Sequence, residues 1–406
     1  PAQLARGGGA SSSGSTRRLS PAYLGYASPG ASYSASPTMG TPQQDTDFHL
    51  AAEESLTLHF ESGSSVVGCA VGSFSEFTST TTSWLMEEVK RPFDLRDDAL
   101  IRVVLARAAA DTHLLLINLH HSVTDGRSMA VLRHELTAAY NAEVQGQEPK
   151  LPTLSLQYAD YAYWQRQWMA QGHMDRQLDY WKGQLEGLPT LQLPTDFPRP
   201  ANLPLDGAEV SLELPTGLAA RLRGLARARG STLFGVLLGV FATTLGRHGN
   251  SPDVAVASVL ANRGGPELEP LVGYFVNTLI FRARLGGSFE QLLGQLREST
   301  VGAFANAAAP YAAVLDKAKL DAAAVSAMLV LQDADDGKWA MSGLSVEMAC
   351  LPRTAALFDI TCEVQEDADG GGALRGGIVY NTHIWTQARA ARFGDSLQAL
   401  AVAALA

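Results

Sequence analysis

The sequence is poor in charged residues and in cysteine. Charged residues are 18% of the 406 residues, and 41 acidic residues outnumber 31 basic ones. Without a basic stripe to neutralise phosphates, this composition argues against nucleic acid or an anionic membrane as partner. The three cysteines, Cys69, Cys350 and Cys362, are widely spaced and form no CxxC pair. They predict neither a disulfide framework nor a thiolate metal site, and they favour a reducing compartment such as the cytoplasm.

The sequence also lacks a long uncharged hydrophobic run. The clearest one, residues 233–245, is shorter than the roughly 20 residues that cross a bilayer, so we predict a buried helix and no membrane span. Hydrophobic residues nevertheless make up 46% of the chain. That content suffices for a large core, and the length favours two lobes.

The N-terminal segment contains no acidic residue before Asp45 and is crowded with Ser, Gly, Ala and Pro. Such a composition buries too little apolar area to offset the entropy of ordering. We therefore predict that residues 1–45 are disordered, as an interdomain linker or as a segment resembling a transit peptide. Four prolines within residues 188–202 suggest a second boundary, which predicts one lobe over residues 46–190 and another over residues 191–406.

Strand and helix patterns mix along the rest of the chain, which predicts an α/β (α+β) fold. Strands are expected near residues 56–60 and at residues 112–120, 254–260, 326–332 and 374–381. Helices are expected over residues 127–142, 158–168 and 233–245. Ser231 is a candidate N-cap, and Ser288 with Gln291 has the spacing of a capping box.

The segment His120-His121-Ser122-Val123-Thr124-Asp125-Gly126 lies where the strand of residues 112–120 ends. Adjacent side chains of a strand point to opposite faces, so only one of the two histidines can face a given cleft. A histidine at a strand end combines a rigid backbone with a solvent-reachable ring, as proton transfer requires. The same pattern also fits a core or capping histidine.

The following residues leave two interpretations open. Gly126 would permit a turn that brings the Asp125 carboxylate beneath the histidine loop, or Asp125 would be a plain helix cap. A metal site is not predicted, because the adjacent histidines diverge and no third ligand lies at helical or hairpin spacing. Ser122 is not predicted to be a nucleophile, because it lacks a GxSxG context.

The motif resembles the HHxxxDG signature of condensation domains of nonribosomal peptide synthetases, within the chloramphenicol-acetyltransferase-like superfamily. Further segments follow in family order, at residues 91–95 (RPFDL), 158–164 (YADYAYW), 193–196 (LPTD), 261–263 (ANR) and 272–278 (VGYFVNT). The resemblance covers about residues 50–402. It implies two chloramphenicol-acetyltransferase-like lobes in a V-shaped arrangement with a central tunnel.

The resemblance also implies roles for particular residues. His121 would face the middle of the tunnel as the base or amine-orienting group, with His120 as a supporting residue. Asp125 would form a structural ion pair with Arg263, and a backbone N–H near Gly126 would stabilise the oxyanion. Asn277 and Thr278 are expected either to line the tunnel or to make hydrogen bonds at a strand end.

By the same resemblance, the reaction is amide formation between thioesters on phosphopantetheine arms. No cofactor would be bound directly. The partners would be donor and acceptor peptidyl carrier proteins, with neighbouring adenylation and carrier domains.

The resemblance weakens at the N terminus. The opening family motif has no counterpart in residues 1–50, and the next one aligns with residues 52–60 only in its apolar face, so we expect the first elements of the lobe to be missing. One alternative is therefore a non-catalytic carrier-binding remnant. Another is an ester-forming acyltransferase of the same superfamily, because a hydroxyl acceptor would use the same base. An epimerisation domain shares the double histidine, but residues 272–278 resemble a peptide-forming domain instead.

Overall fold

The computed structural model describes the chain between residues 54 and 405. The described ranges are residues 54–58, 61–62, 66–69, 79–107, 111–332, 339–348, 353–366 and 372–405. The predictions for residues 1–45, and for missing elements before residue 54, lie outside these residues.

The described chain contains strands and helices in mixed order, which confirms the predicted mixed α/β class. The strands are β1 (Glu54–Leu58), β2 (Glu61–Ser62), β3 (Val66–Cys69), β4 (Ile101–Arg107), β5 (Thr112–His120), β6 (Gly207–Leu214), β7 (Asp253–Leu260), β8 (Asn277–Arg284), β9 (Ala327–Gln332), β10 (Leu344–Met348), β11 (Ile360–Glu366) and β12 (Leu374–Asn381). The helices are α1 (Ser79–Lys90), α2 (Gly126–Val144), α3 (Tyr158–Ala170), α4 (Asp175–Leu185), α5 (Thr216–Ala228), α6 (Leu233–His248), α7 (Phe289–Ala305), α8 (Tyr311–Ala318) and α9 (Gln387–Ala403).

The strands form two six-stranded sheets. The first has the order β10-β1-β5-β3-β2, and β4 also pairs with β5. The second has the order β6-β12-β11-β9-β7-β8, with parallel pairing of β9 to β11 and to β7. Most of the buried apolar side chains belong to one core around this second sheet.

Strand β5 is covered on both faces, which makes its end a rigid support. Leu114 and Leu116 pack with Leu85 of α1. Ile117 and Leu119 lie on the opposite face and pack with Met129 of α2. The alternation along the strand sets these two faces. The double histidine therefore lies at the end of a strand that is fixed from both sides.

Most of the local predictions are confirmed. Strands β5 and β12 begin and end at the predicted residues, and the Ser288–Gln291 capping box is present. The predicted N-cap Ser231 is wrong, because its N–H instead bonds to the Ala226 carbonyl at the end of α5. Thr232 is the N-cap of α6, and its hydroxyl accepts from Gly235 N–H at 3.0 Å.

The lobe boundary predicted between residues 190 and 191 stays a prediction, and two elements make contacts across it. Helix α4 buries Leu178, Trp181 and Leu185 in the core of the second sheet, although it precedes that position. Strand β10 comes late in the chain and pairs in parallel with β1 of the first sheet. The apolar face of α4 places this helix in the second core, and the edge of β1 accepts β10. The four prolines of residues 188–202 carry no information about either contact.

Within the described residues, no single helix is long and apolar enough to cross a membrane. Helices α5 and α6 reach the length and hydropathy of a membrane span only when taken together, and the chain bends by 107° between them. Eleven residues of α6 are buried, as predicted for residues 233–245.

Cys362 of β11 should resist thiol reagents in the folded protein. It is a free, buried cysteine, and burial followed by the charge of Glu363 raises its pKa to about 12. The thiolate is the reactive form, so native Cys362 should stay unlabelled at pH 8 and become labelled after denaturation. Mass spectrometry of the Cys362 peptide measures this directly, and rapid labelling without denaturant would contradict the burial.

Candidate active site

His121 lies directly after β5, in a single 3-10 turn formed by His121–Val123. Its Nδ1 is 2.6 Å from the carbonyl oxygen of Thr124. A carbonyl only accepts, so Nδ1 carries the proton and, in the neutral ring, Nε2 keeps its lone pair. The half-buried imidazole is thus held in the tautomer that a base requires.

His120 has a different environment. Its Nδ1 is 2.8 Å from Ser122 Oγ and accepts the Ser122 N–H at 3.2 Å, while its ring contacts Phe93 edge to face. Burial, and then the neighbouring His121, lower the pKa of His120. The geometry is that of a neutral ring that caps the turn, and it engages the Ser122 hydroxyl away from His121.

Asp125 is completely buried and accepts four hydrogen bonds. Oδ1 accepts from Ser128 N–H at 2.8 Å, Ser128 Oγ at 2.8 Å and Arg263 at 2.9 Å, and Oδ2 accepts from Phe275 N–H at 3.0 Å. The side-chain exposures of Arg263 and Asp125 are 2% and 0%. Asp125 therefore caps α2, one of the two interpretations left open by the sequence, and also makes the ion pair with Arg263 that the family resemblance implied.

Arg263 connects distant parts of the chain. Its guanidinium donates to the carbonyls of Leu268 and Leu271 at 2.5 and 2.8 Å, and it lies over the Phe275 ring at 4.1 Å. These contacts order the loop before β8. Because that loop also contains Gly273 and Phe275, Arg263 and Asp125 together join the loop to the start of α2.

Ser128 is a buried residue of this network that the sequence analysis missed. Its Oγ accepts Gly273 N–H at 3.0 Å and lies 2.8 Å from the Gly273 carbonyl and 2.9 Å from an Arg263 nitrogen. The Asp-x-x-Ser spacing indicates a helix cap. It carries no signal for a contact with a glycine 145 residues away.

The turn at Gly126 does not use a left-handed glycine conformation. Gly126 is the first residue of α2 and is not among the residues with positive φ. The extended backbone of Asp125, with φ −140° and ψ 178°, makes the turn into the helix without a left-handed residue. A Cβ at Gly126 would meet no atom of a more distant residue within 4 Å, so the space beside its Cα is open.

Asn277 begins β8 and uses both polar ends of its side chain within the protein. Nδ2 donates to the carbonyls of Ala307 and Ala309, both at 2.7 Å, and Oδ1 accepts from Tyr311 N–H at 3.2 Å and from Thr278 N–H at 2.9 Å. Of its two predicted roles, these contacts match hydrogen bonding at a strand end.

Aromatic side chains surround the loop before β8. Tyr158 and Tyr161 of α3 contact Phe275, with ring centroids 5.1 and 4.8 Å apart. Tyr163 and Trp164 of the same helix are 61% and 39% exposed. Packing against the rest of the protein therefore describes only the inner face of α3. Over the described ranges, no cluster of three or more potential metal ligands is present.

The comparison with protein families matches residues 68–406 to the family described as Condensation domain. A linear gramicidin synthase of Brevibacillus parabrevis is 39% identical over 75% of the chain and 4% of its own length. Phosphinothricin tripeptide synthetase PhsC of Streptomyces viridochromogenes is 36% identical over 78% of the chain and 30% of its own length. The chain thus spans only a small part of each of these relatives.

Solved structures show the same fold. The X-domain from teicoplanin biosynthesis superposes with a TM-score of 0.72 at 23% identity, covering 86% of this chain and 85% of that one. The first condensation domain of the CDA synthetase gives 0.61 at 22% identity, covering 79% and 71%. With a family match that spans most of its residues, the chain belongs to the condensation domain family.

Proposed function

We propose that this chain forms amide bonds between two carrier-bound thioesters, and that His121 is the group that serves the reacting amine. The observation that carries the proposal is the contact of His121 Nδ1 with the Thr124 carbonyl, which leaves Nε2 as the basic nitrogen. Membership of the condensation domain family supports the choice of reaction.

The proposed reaction moves one proton, and His121 alone can carry it from the amine to the departing thiolate. The acceptor amine attacks the donor thioester carbonyl and forms a tetrahedral oxyanion. His121 Nε2 takes the proton that the nitrogen must lose, the C–S bond breaks, and the proton passes to the departing thiolate. General-base catalysis of this kind contributes about 10²- to 10⁴-fold, and the positioning of two tethered substrates contributes at least as much.

Asp125 is a poor candidate for the base. Its carboxylate already accepts from Arg263, twice from Ser128 and from Phe275, so both oxygens are engaged and its charge is compensated. We assign it a structural role, as the link between α2 and the loop before β8.

The N-terminus of α2 is the proposed oxyanion site. The first amides of a helix have no intrahelical acceptor. Ser128 N–H is taken by Asp125, whereas Gly126 is exposed with open space around its Cα. A developing oxyanion beside Gly126 N–H would be stabilised electrostatically.

The proposed partners are donor and acceptor carrier proteins, which would present the substrates on phosphopantetheine arms. Neighbouring adenylation and carrier domains would supply them, in keeping with the much longer synthetases that the chain resembles. No cofactor bound by the chain itself enters the proposal. The compartment would be the cytoplasm.

A competition between acceptors tests the proposal. One aminoacyl carrier protein serves as donor, and two matched acceptor thioesters differ only in an α-amine or an α-hydroxyl. We expect the amide to be the main product in a single-turnover assay with mass-spectrometric detection. The α-amine is a stronger nucleophile than the α-hydroxyl, and the same base would serve either acceptor.

The other products would overturn the proposal in distinct ways. Ester as the main product would indicate an alcohol-specific acyltransferase. An inverted α-carbon on the donor without a new bond would indicate epimerisation. Carrier binding without any product would indicate a non-catalytic binding domain.

A further inference from the structure

Residues Gly273, Tyr274 and Phe275 form a segment that is tied to the first half of the chain at every residue. Both backbone polar groups of Gly273 contact Ser128 Oγ, at 3.0 and 2.8 Å. The Tyr274 carbonyl accepts from Tyr158 Oη at 2.8 Å. The Phe275 N–H donates to Asp125 at 3.0 Å. We call Gly273–Phe275 the clasp.

The clasp approaches α3 so closely that its first residue must be glycine. A Cβ at Gly273 would lie 2.2 Å from Cδ2 of Tyr158. Burial, chiefly, raises the pKa of Tyr158 to about 12, so its hydroxyl remains a donor to the Tyr274 carbonyl throughout the neutral range. The backbone of Tyr274 is therefore fixed independently of its side chain.

The fixed backbone directs the Tyr274 side chain onto His121. The two rings meet edge to face, with centroids 5.3 Å apart and planes at 83°. Tyr274 is 41% exposed, so its ring contacts the imidazole of His121 without filling the space around that imidazole. Aromatic contacts of this geometry are attractive beyond the area they bury.

We propose that Tyr274 is a positioning residue for His121. The Thr124 carbonyl restrains the Nδ1 edge of the imidazole, but one hydrogen bond leaves the ring free to rock about its axis. The Tyr274 ring supplies the second restraint, through its edge-to-face contact with the imidazole, and keeps Nε2 in one direction. The inference rests on the proposed role of His121 as base, and it adds a residue outside the HHxxxDG motif to the site.

Two variants separate ring packing from the phenol group. Tyr274→Phe keeps the aromatic contact and should turn over within about twofold of wild type. Tyr274→Ala removes the contact and should lower kcat by about 3- to 10-fold, the equivalent of one aromatic pair, with little change in the acceptor KM. Tyr163→Ala, a truncation of an exposed tyrosine on α3, is the matched control and should leave both constants unchanged.

A spectroscopic measurement on the substrate-free protein makes the test independent of turnover. With 15N-labelled histidine, long-range nitrogen–proton spectra report the His121 tautomer. Wild type and Tyr274→Phe should show one Nδ1–H tautomer. In Tyr274→Ala, the released ring should leave the Thr124 carbonyl for part of the time and sample both tautomers, so the two ring nitrogens should shift towards each other.

The inference is overturned if Tyr274→Ala leaves both kcat and the His121 spectrum unchanged. It is also overturned if Tyr274→Phe is as impaired as Tyr274→Ala, since the phenol group would then matter instead of the ring. Because the spectrum needs no substrate, failure of wild type to form amide would count against the proposed function and not against this role of Tyr274.

Discussion

Replacing His121 by alanine should lower the single-turnover rate of amide formation by about 10²- to 10⁴-fold, the usual contribution of a positioned general base. The Nδ1 of His121 donates a hydrogen bond to the Thr124 carbonyl at 2.6 Å. This bond leaves Nε2 as the nitrogen that can accept a proton. The measurement is a rapid-quench assay with one donor and one acceptor thioester, at saturating carrier concentrations.

His120→Ala is the matched control for this experiment, because it truncates the adjacent residue of the same type. The His120 ring caps the turn through Ser122 and contacts Phe93, so its loss should change the rate much less than the loss of His121. Equal rates for wild type and His121→Ala would remove His121 from the mechanism. Retained carrier binding without turnover in wild type would favour a non-catalytic binding domain.

Asp125→Ala should lower the free energy of unfolding by about 3–5 kcal/mol, because it leaves the Arg263 guanidinium buried without its counter-charge. The pair is almost fully excluded from solvent, at 2% and 0% side-chain exposure. The substitution also removes the acceptors of Ser128 and Phe275. Chemical denaturation followed by tryptophan fluorescence measures the loss.

A neighbouring ion pair provides the control for Asp125. Arg127 of α2 pairs with Glu269 at 3.1 Å, with side-chain exposures of 52% and 47%, and joins the same two segments of the chain at the surface. Arg127→Gln should cost no more than about 1 kcal/mol, since exposed ion pairs are screened by solvent. Equal losses in the two variants would contradict a structural role for the buried pair.

The free energy of unfolding of each variant must be compared with its activity. An Asp125 variant that loses turnover together with several kcal/mol of stability has lost the support of the clasp, and its inactivity is not evidence for proton transfer by the carboxylate. By contrast, the His121 and Tyr274 variants should unfold at nearly the wild-type denaturant concentration, because their half-exposed rings contribute little to the core.

Some features could be predicted because their causes are local. The period-two pattern of β5 follows from side chains that alternate between two faces, and the Ser288–Gln291 capping box from two side chains one turn apart. The Asp125–Arg263 contact was expected only from the likeness to a family, since no periodicity relates residues 138 positions apart. Where two capping residues were adjacent, as at Ser231 and Thr232, the end of the preceding helix decided between them.

By itself, the sequence determined the mixed α/β class, the strand that ends at the double histidine and the helix that follows it. Only the tertiary structure decided that Ser128 and Asp125 bind the loop before β8, that α4 joins the second core, and that Tyr274 covers His121. The physical reason is the range of the forces involved. Propensity and capping act within one or two turns, whereas a buried charge finds its partner only after the whole chain has excluded water from around it.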